Sequence, residues 1–212
     1  ITQVAQIWNR SASGGLDGNT IHMVALTEPS GGDYTGVPFN GVSGALLYYR
    51  SQDGGANWDI TDMQLPGMDS TSQISMSGDV YAIDAKGNTV VIAYFDDFGD
   101  SFIVKSTDNG NTWNKTIFLD FPVDKYVIDD GIDLDNNDTI DDVYSTDNYG
   151  TVIIDDNNQA HVFYGIMRYN DDGEETAGSF GFFPGTNGIA YWNESLGRDT
   201  TPPVVHEGDT SL

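Results

Sequence analysis

Two short stretches of the sequence repeat one pattern and decide the fold. They are SQDGGANWDI at residues 51–60 and STDNGNTWNK at residues 106–115. The shared pattern, Ser-x-Asp-x-Gly-x-x-Trp, consists of Ser51, Asp53, Gly55 and Trp58 in the first copy and of Ser106, Asp108, Gly110 and Trp113 in the second. Glycine adopts a positive φ at little cost, and Ser and Asp side chains accept hydrogen bonds from a turn's own backbone. The pattern therefore predicts two equivalent turns between strands.

A longer repeat surrounds these turns. The segments GNTIHMVAL, GNTVVIAYF and NNQAHVFYG begin at residues 18, 87 and 157, so their starts are 69 and 70 residues apart. Each segment is a turn followed by an apolar, β-branched and aromatic run of strand length. A fixed long period indicates a repeat architecture, in which each unit is one supersecondary motif.

Each unit divides into four strands, A to D, and no segment shows a helical period. The middle unit predicts strands at Tyr81–Ala85, Thr89–Phe95, Ser101–Ser106 and Thr112–Leu119. The first predicts Val4–Ser11, Thr20–Leu26, Gly44–Arg50 and Asn57–Met63, and the third Thr151–Ile154, Ala160–Ile166, Gly188–Trp192 and a strand around Pro203–His206. Repeated units of four antiparallel strands are typical of β-propeller blades. A β-sandwich is the alternative.

The prediction is thus an all-β chain with about three blades of a partial propeller. We expect one domain over residues 1–212, with blades near 1–65, 75–120 and 148–212 and an acidic loop at 120–150. The chain starts at Ile1 within a strand-like stretch. We therefore expect a processed protein or a piece of a larger polypeptide that supplies further blades.

The repeated pattern resembles the Asp box, or bacterial neuraminidase repeat, of sialidase-like β-propellers. Both copies lie between predicted strands C and D, where that family carries the box, and Thr112 completes its fuller form in the second copy. The third unit has YWNESLGRD at this place, so its box is lost. The resemblance implies that the box is a structural turn anchored by its Trp, and not a catalytic site.

Charge and composition exclude several classes of function. The 212 residues include 33 acidic and 8 basic side chains, for a net charge of −25, and no cysteine. Such charge repels nucleic acid and anionic membranes. Disulfides, thiol catalysis and Cys-based zinc sites are excluded, and no apolar run reaches the roughly 18 residues of a membrane helix. The composition is typical of an exported bacterial protein, so we expect a secreted or cell-surface location.

Connection lengths indicate which end of the blades carries function. The A–B and C–D turns are short, whereas the long segments Thr27–Ser43, Asp120–Gly150 and Met167–Asn187 are B–C or D–A connections. In an antiparallel blade these two sets lie at opposite ends, and long loops on a rigid scaffold usually carry binding. We therefore expect a protein or glycan partner at the long-loop end. The alternative is that the long segments are solvated insertions with no partner.

One long loop carries side chains typical of binding surfaces. Arginine and aromatic residues are enriched at interfaces and stack on sugars. The candidate binding residues are Arg168, Tyr169, Phe180, Phe182 and Phe183. The alternative is that these side chains fold back over their own blade.

The segment DGIDLDNNDTIDDVYSTD, at residues 130–147, is the densest acidic stretch. Positions 1, 3, 5, 7 and 9 of an EF-hand-like loop are filled by Asp133, Asp135, Asn137, Thr139 and Asp141. Position 6 is Asp138 instead of Gly, and position 12 is Tyr144, so an EF-hand proper is not expected. A looser Ca²⁺ site is one interpretation and a solvated acidic loop is the other. No other cofactor is expected.

The resemblance to sialidases also implies an arginine triad, a Tyr–Glu nucleophile pair, an Asp acid and an early Arg-Ile-Pro motif. This chain has no Arg-Ile-Pro, and its arginines are Arg10, Arg50, Arg168 and Arg198. Only Arg168 is expected at the long-loop end, so no triad can be assembled. We therefore expect a non-catalytic binding module. The alternative is a fragment of a sialidase-like glycoside hydrolase whose catalytic residues lie largely outside this chain.

Overall fold

The computed structural model describes residues 4–171, 173, 180–199 and 204–205. The strands are β1 (Ala5–Gly14), β2 (Thr20–Thr27), β3 (Ser30–Gly31), β4 (Tyr34–Thr35), β5 (Leu46–Ser51), β6 (Ile60–Gln64), β7 (Tyr81–Lys86), β8 (Thr89–Tyr94), β9 (Ser101–Ser106), β10 (Asn114–Leu119), β11 (Asp142–Ile154), β12 (Ala160–Asn170), β13 (Gly181–Asn193) and β14 (Val204–Val205). One 3₁₀ turn at Glu194–Leu196 is the only helical element in the described part. The all-β prediction is confirmed.

Three four-stranded antiparallel sheets form the body of the protein. The first sheet has the order β1-β2-β5-β6, the second β7-β8-β9-β10 and the third β13-β12-β11-β14. The first two are simple up-and-down meanders, as the repeat predicted, and strand bounds in the middle unit agree with the prediction to within two residues. A small hairpin of β3 and β4 lies in the connection from β2 to β5.

The three sheets stack face to face in chain order. Ile92 and Tyr94 of β8 belong to the core shared with the first sheet, whereas Val91, Ala93 and Phe95 belong to the core shared with the third. Successive side chains of a strand point to opposite faces, so β8 is buried along its whole length. This two-sided burial explains why its sequence is a continuous apolar run.

The first strands of the three sheets adjoin one another. β7 contacts both β1 and β11. The Tyr81 hydroxyl of β7 donates to the Trp8 carbonyl of β1, and Asp84 of β7 accepts the Ile154 N–H of β11 at 2.8 Å. The sheets therefore converge along one edge, where β1, β7 and β11 lie side by side.

The fourth strand of the third unit lies within its predicted position, at Val204–Val205, but its pairing was predicted wrongly. It was expected beside strand C, but β14 pairs with β11 on the opposite edge, with Val204 opposite Val143. After β13 the chain turns toward the second sheet, where the Asp199 N–H donates to the Ile117 carbonyl at 3.1 Å. This path leads away from the edge of β13. Pro203 and His206 lie outside the described residues.

Strand occupies part of two segments that were predicted to be loops. β11 begins at Asp142, so the acidic loop expected at 120–150 ends about nine residues earlier, and an irregularity between Thr146 and Gly150 interrupts its pairing with β12. β12 and β13 continue as a hairpin through most of the segment expected to be the loop Met167–Asn187. In the described part of the chain, no helix is long and apolar enough to span a membrane.

Candidate functional site

The first box turn, residues 51–58, is held by its own side chains. The Ser51 hydroxyl accepts the Gly55 N–H at 2.8 Å and donates to Asp53 Oδ1 at 2.9 Å. The Asp53 carboxylate also accepts the Asn57 backbone N–H and side-chain amide, both at 2.7 Å. These bonds hold the pKa of Asp53 below its usual range, mainly through Asn57. All of these bonds lie within the turn, so the carboxylate stabilises the turn.

The second box turn, residues 106–113, repeats this arrangement. The Ser106 hydroxyl accepts the Gly110 N–H at 2.8 Å. Asp108 accepts the Thr112 N–H at 2.8 Å and the Thr112 hydroxyl at 2.7 Å. These bonds lower the pKa of Asp108 to about 2. A carboxylate that accepts several hydrogen bonds in its charged form is a poor proton acceptor at neutral pH.

The second box turn also joins the first sheet to the second. The ring of Trp113 packs edge-on against Tyr48 with centroids 4.9 Å apart. The Arg50 guanidinium donates to the Asn109 carbonyl at 2.5 Å while pairing with Asp59 at 2.5 Å. Gly110 has φ +84°, and a Cβ there would overlap the Tyr48 hydroxyl. The turn is therefore a structural contact between sheets.

Short turns and long connections lie at opposite ends of the sheets. In the first sheet the Gly54 N–H of the box turn donates to the Asn19 carbonyl of the β1–β2 turn at 2.9 Å. In the second sheet the Asn109 N–H donates to the Asn88 carbonyl of the β7–β8 turn at 2.8 Å. We call this the short-turn end. The connections β6–β7, β8–β9 and β10–β11 leave the other end, called the loop end.

A cavity of about 310 Å³ opens at the loop end. Its walls come from three connections far apart in sequence, which contribute segments starting at Ser72, Asp96 and Val123. This volume lies at the lower limit of small-molecule sites, and convergence of three loops on one cavity is typical of such sites. We call this cavity the loop-end pocket.

The β8–β9 connection lines the pocket with three aspartates. Burial, strengthened by repulsion from Asp97 and Asp100, raises the pKa of Asp96 to about 7. Burial also raises the pKa of Asp97 and that of Asp100. Among the described residues, the nearest cation to any of the three is Lys115, whose Nζ lies 3.7 Å from Asp100 Oδ2. A carboxyl with its pKa raised to near neutrality is present in both its protonated and its ionised form, so Asp96 can both donate and accept hydrogen bonds.

Local bonds fix this connection in place. Asp96 Oδ1 accepts the Phe98 N–H at 3.1 Å, and the Asp96 carbonyl accepts the hydroxyls of Ser145 at 3.1 Å and Thr146 at 3.0 Å. The Asp97 N–H donates to Asn148 Oδ1 at 3.1 Å. Ser145, Thr146 and Asn148 belong to β11, so the third sheet holds the wall of a pocket formed on the second.

Some of the candidate binding residues pack against other side chains, and others are exposed to solvent. The rings of Tyr169 and Phe180 pack on Phe98, with centroids 5.5 Å and 4.8 Å away, in an aromatic cluster that supports the pocket. Arg168 pairs with Asp142 and lies 4.7 Å from the centre of the Phe183 ring. Phe182 and Phe183 are exposed. The structure therefore does not bring the five residues together as one surface.

The acidic segment brings three of its five predicted ligands together. One carboxylate oxygen from each of Asp133, Asp135 and Asp141 lies within 4.8 Å of the others. Asn137 Oδ1 is used within the loop, where it accepts the Thr139 N–H at 2.8 Å. Asp141 is buried and accepts the Leu134 N–H at 2.8 Å. Three carboxylates at this spacing fit a hard divalent cation such as Ca²⁺.

Sequence reasoning missed the loop-end pocket. Its central segment, Asp96–Asp100, lies in the six-residue connection between β8 and β9, whereas the predicted binding loops are 17 to 31 residues long. The available signal was DDFGD itself, which places three aspartates and one aromatic ring directly after a fully buried strand.

The chain matches no protein-family model. None of the curated proteins with which it was compared is a match.

Proposed function

We propose that this chain is part of a sialidase-like β-propeller, secreted or at a cell surface, that binds a neutral glycan in the loop-end pocket. The propeller assignment is supported by three stacked sheets, by their convergence along β1, β7 and β11, and by the 69- and 70-residue spacing of the repeat. The two box turns, with their matching Ser, Asp and Gly bonds, support the same family.

The pocket's chemistry carries the glycan proposal. Carbohydrate hydroxyls both donate and accept hydrogen bonds. The pocket offers carboxylates that accept them, beside the Asp96 carboxyl, whose raised pKa lets it do both. Phe98 and Tyr126 add aromatic rings to the same walls. The concentration of carboxylates, in a chain of net charge −25, disfavours anionic sugars. A neutral glycan is therefore the ligand class that this pocket fits best.

A second candidate is glycoside hydrolysis, and one observation favours it. Asp96 has its pKa raised to about 7 while lying near two other carboxylates. Carboxyl groups whose environments separate their pKa values are a recurrent pattern of general acid and base pairs. In this reading Asp96 is the acid that protonates the leaving group.

Calorimetry with neutral oligosaccharides, chosen from a glycan array, tests the proposal. We expect wild-type protein to bind, and the Asp97→Asn variant to bind at least about tenfold more weakly because a hydrogen bond to a charged acceptor is lost. Asp156→Asn is the control, since Asp156 lies at the short-turn end with its side chain 99% exposed. Failure of every neutral glycan to bind, or equal affinity of the two variants, would contradict the proposal.

Fluorogenic glycosides separate the two candidates. A binding module leaves them intact. Turnover by the wild type that disappears in the Asp96→Asn variant would establish hydrolysis instead.

A further inference from the structure

The third sheet has one apolar face that nothing in the described structure covers. Along β11, β12 and β13 every second side chain points outward, and four of these are large and apolar. Their exposed fractions are 49% for Ile153, 39% for Phe163, 86% for Ile189 and 47% for Tyr191. We call this surface the outer face of the third sheet. Contiguous exposed apolar surface of this kind marks an interaction site.

The equivalent face of the other two sheets is an interface between sheets. On the second sheet, Val91, Ala93 and Phe95 pack against the third sheet. The repeat places His161, Phe163 and Gly165 at these positions in β12. The outer face therefore continues an interface that the protein forms twice already. It differs at its loop end, where the third sheet has Gly165 at the position of Phe95. The Asp147 carboxylate occupies the space beside this glycine.

A His–Tyr pair marks the correspondence most closely. In the first sheet, His22 Nδ1 lies 2.7 Å from the Tyr48 hydroxyl, with ring centroids 6.1 Å apart and planes inclined by 19°. On the outer face, His161 Nδ1 lies 2.7 Å from the Tyr191 hydroxyl, with centroids 6.0 Å apart and planes inclined by 18°. The third sheet thus reproduces a local geometry of the first.

The two pairs differ in what covers them. Tyr48 is fully buried, because Trp113 and Gly110 of the next sheet's box turn pack on it. Tyr191 carries the same partner histidine but remains half exposed. The outer face therefore resembles the surface of the first sheet on which the second box turn packs.

We propose that the outer face binds a fourth antiparallel sheet of the same repeat, carried by the same polypeptide. Its inward face presents alternating aliphatic and aromatic side chains, as Ile92 and Tyr94 do in the second sheet, and its box Trp packs on Tyr191 as Trp113 packs on Tyr48. A second copy of this chain fits less well. A head-to-tail copy would need the opposite face of the first sheet, where Leu47 and Tyr49 are fully buried already. In a two-fold dimer of outer faces, each copy would bring a charge of −25.

The absence of cysteine from the chain provides a direct test, since one introduced thiol is the only thiol. Ile189→Cys places it on the outer face, and Leu16→Cys is the matched control, because both side chains are 86% exposed. Each variant is made in the 212-residue chain and in the product of the whole gene. The rate at which a maleimide modifies the introduced cysteine is measured by mass spectrometry of the peptide that contains it. The proposal rests on the propeller assignment made above. This readout does not depend on any glycan, so it can fail while glycan binding in the loop-end pocket is retained.

In the 212-residue chain we expect the two thiols to react at similar rates. In the whole gene product we expect Ile189→Cys to react at least about tenfold more slowly, because the sheets must separate before reagent enters, while Leu16→Cys is unchanged. Equal rates in the whole gene product would overturn the proposal. Protection in the 212-residue chain that grows with protein concentration would also overturn it, in favour of a second copy.

Discussion

Replacing Asp96 by Asn tests whether ionisation of its buried carboxyl destabilises the folded protein. Burial and the carboxylates of Asp97 and Asp100 raise the Asp96 pKa from 3.8 to about 7 in the folded protein. A carboxyl with a raised native pKa contributes stability that is fully present below 3.8 and is lost as the pH rises through about 7. At 1.36 kcal/mol per pH unit, this interval corresponds to at most about 4 kcal/mol.

An amide at this position keeps an oxygen that accepts the Phe98 N–H but has no charge to bury. We therefore expect Asp96→Asn to match the wild type near pH 4 and to become more stable than it by up to about 4 kcal/mol at pH 8. The assay is urea unfolding at a series of pH values, with the free energy of unfolding of the variant minus that of the wild type plotted against pH.

Titrating groups that the two proteins share cancel in this difference. A flat line for Asp96→Asn between pH 4 and 8 would refute the reasoning, because it would mean that the carboxyl is not held in a desolvated site. A variant less stable than the wild type at every pH would equally contradict it.

Three further predictions concern the turns and the acidic segment. Gly110→Ala should cost at least about 1 kcal/mol more than Gly18→Ala in urea unfolding, because both positions have positive φ but only a Cβ at Gly110 overlaps Tyr48; equal costs would argue against the packed turn. Asp108→Asn should lower the thermal midpoint at neutral pH, and the deficit should shrink as the pH falls from 3.8 towards 2, where the wild-type carboxylate loses its charge; a deficit independent of pH would show that the charge is not what the turn uses. Calcium titration by calorimetry should give heat that disappears in Asp141→Asn, and saturation at about 100 times Kd should add about 2.7 kcal/mol of stability; no heat at millimolar Ca²⁺ would leave the segment a solvated loop.

The sequence predicts most where local and tertiary signals agree. In the middle unit, β8 and β9 begin at the predicted residues because glycine turns bound apolar runs that are buried in the assembled sheets. The third unit is harder, since its fourth strand has no box turn to direct it. The chain leaves Trp192 toward the second sheet and pairs with β11 instead. That outcome depends on contacts between sheets, which the local sequence does not encode.

The pocket illustrates the same limit. Ser72, Asp96 and Val123 belong to different connections, and only the stacking of the sheets brings their segments to one cavity. The sequence does mark aromatic residues near this end. It does not show that Tyr169 and Phe180 pack on Phe98 while Phe182 remains exposed, because Phe98 belongs to a connection of the second sheet and meets these rings only in the assembled fold.

The central claim is that ligand binds at the loop end while the box turns are structural. Two-dimensional amide NMR of the chain, titrated with the tightest-binding neutral glycan, measures this most directly. We predict that the perturbed amides cluster at residues 96–100 and 123–128, with the amides of Gly55 and Gly110 unchanged. Perturbations concentrated at the box turns, or on the outer face of the third sheet, would contradict the account.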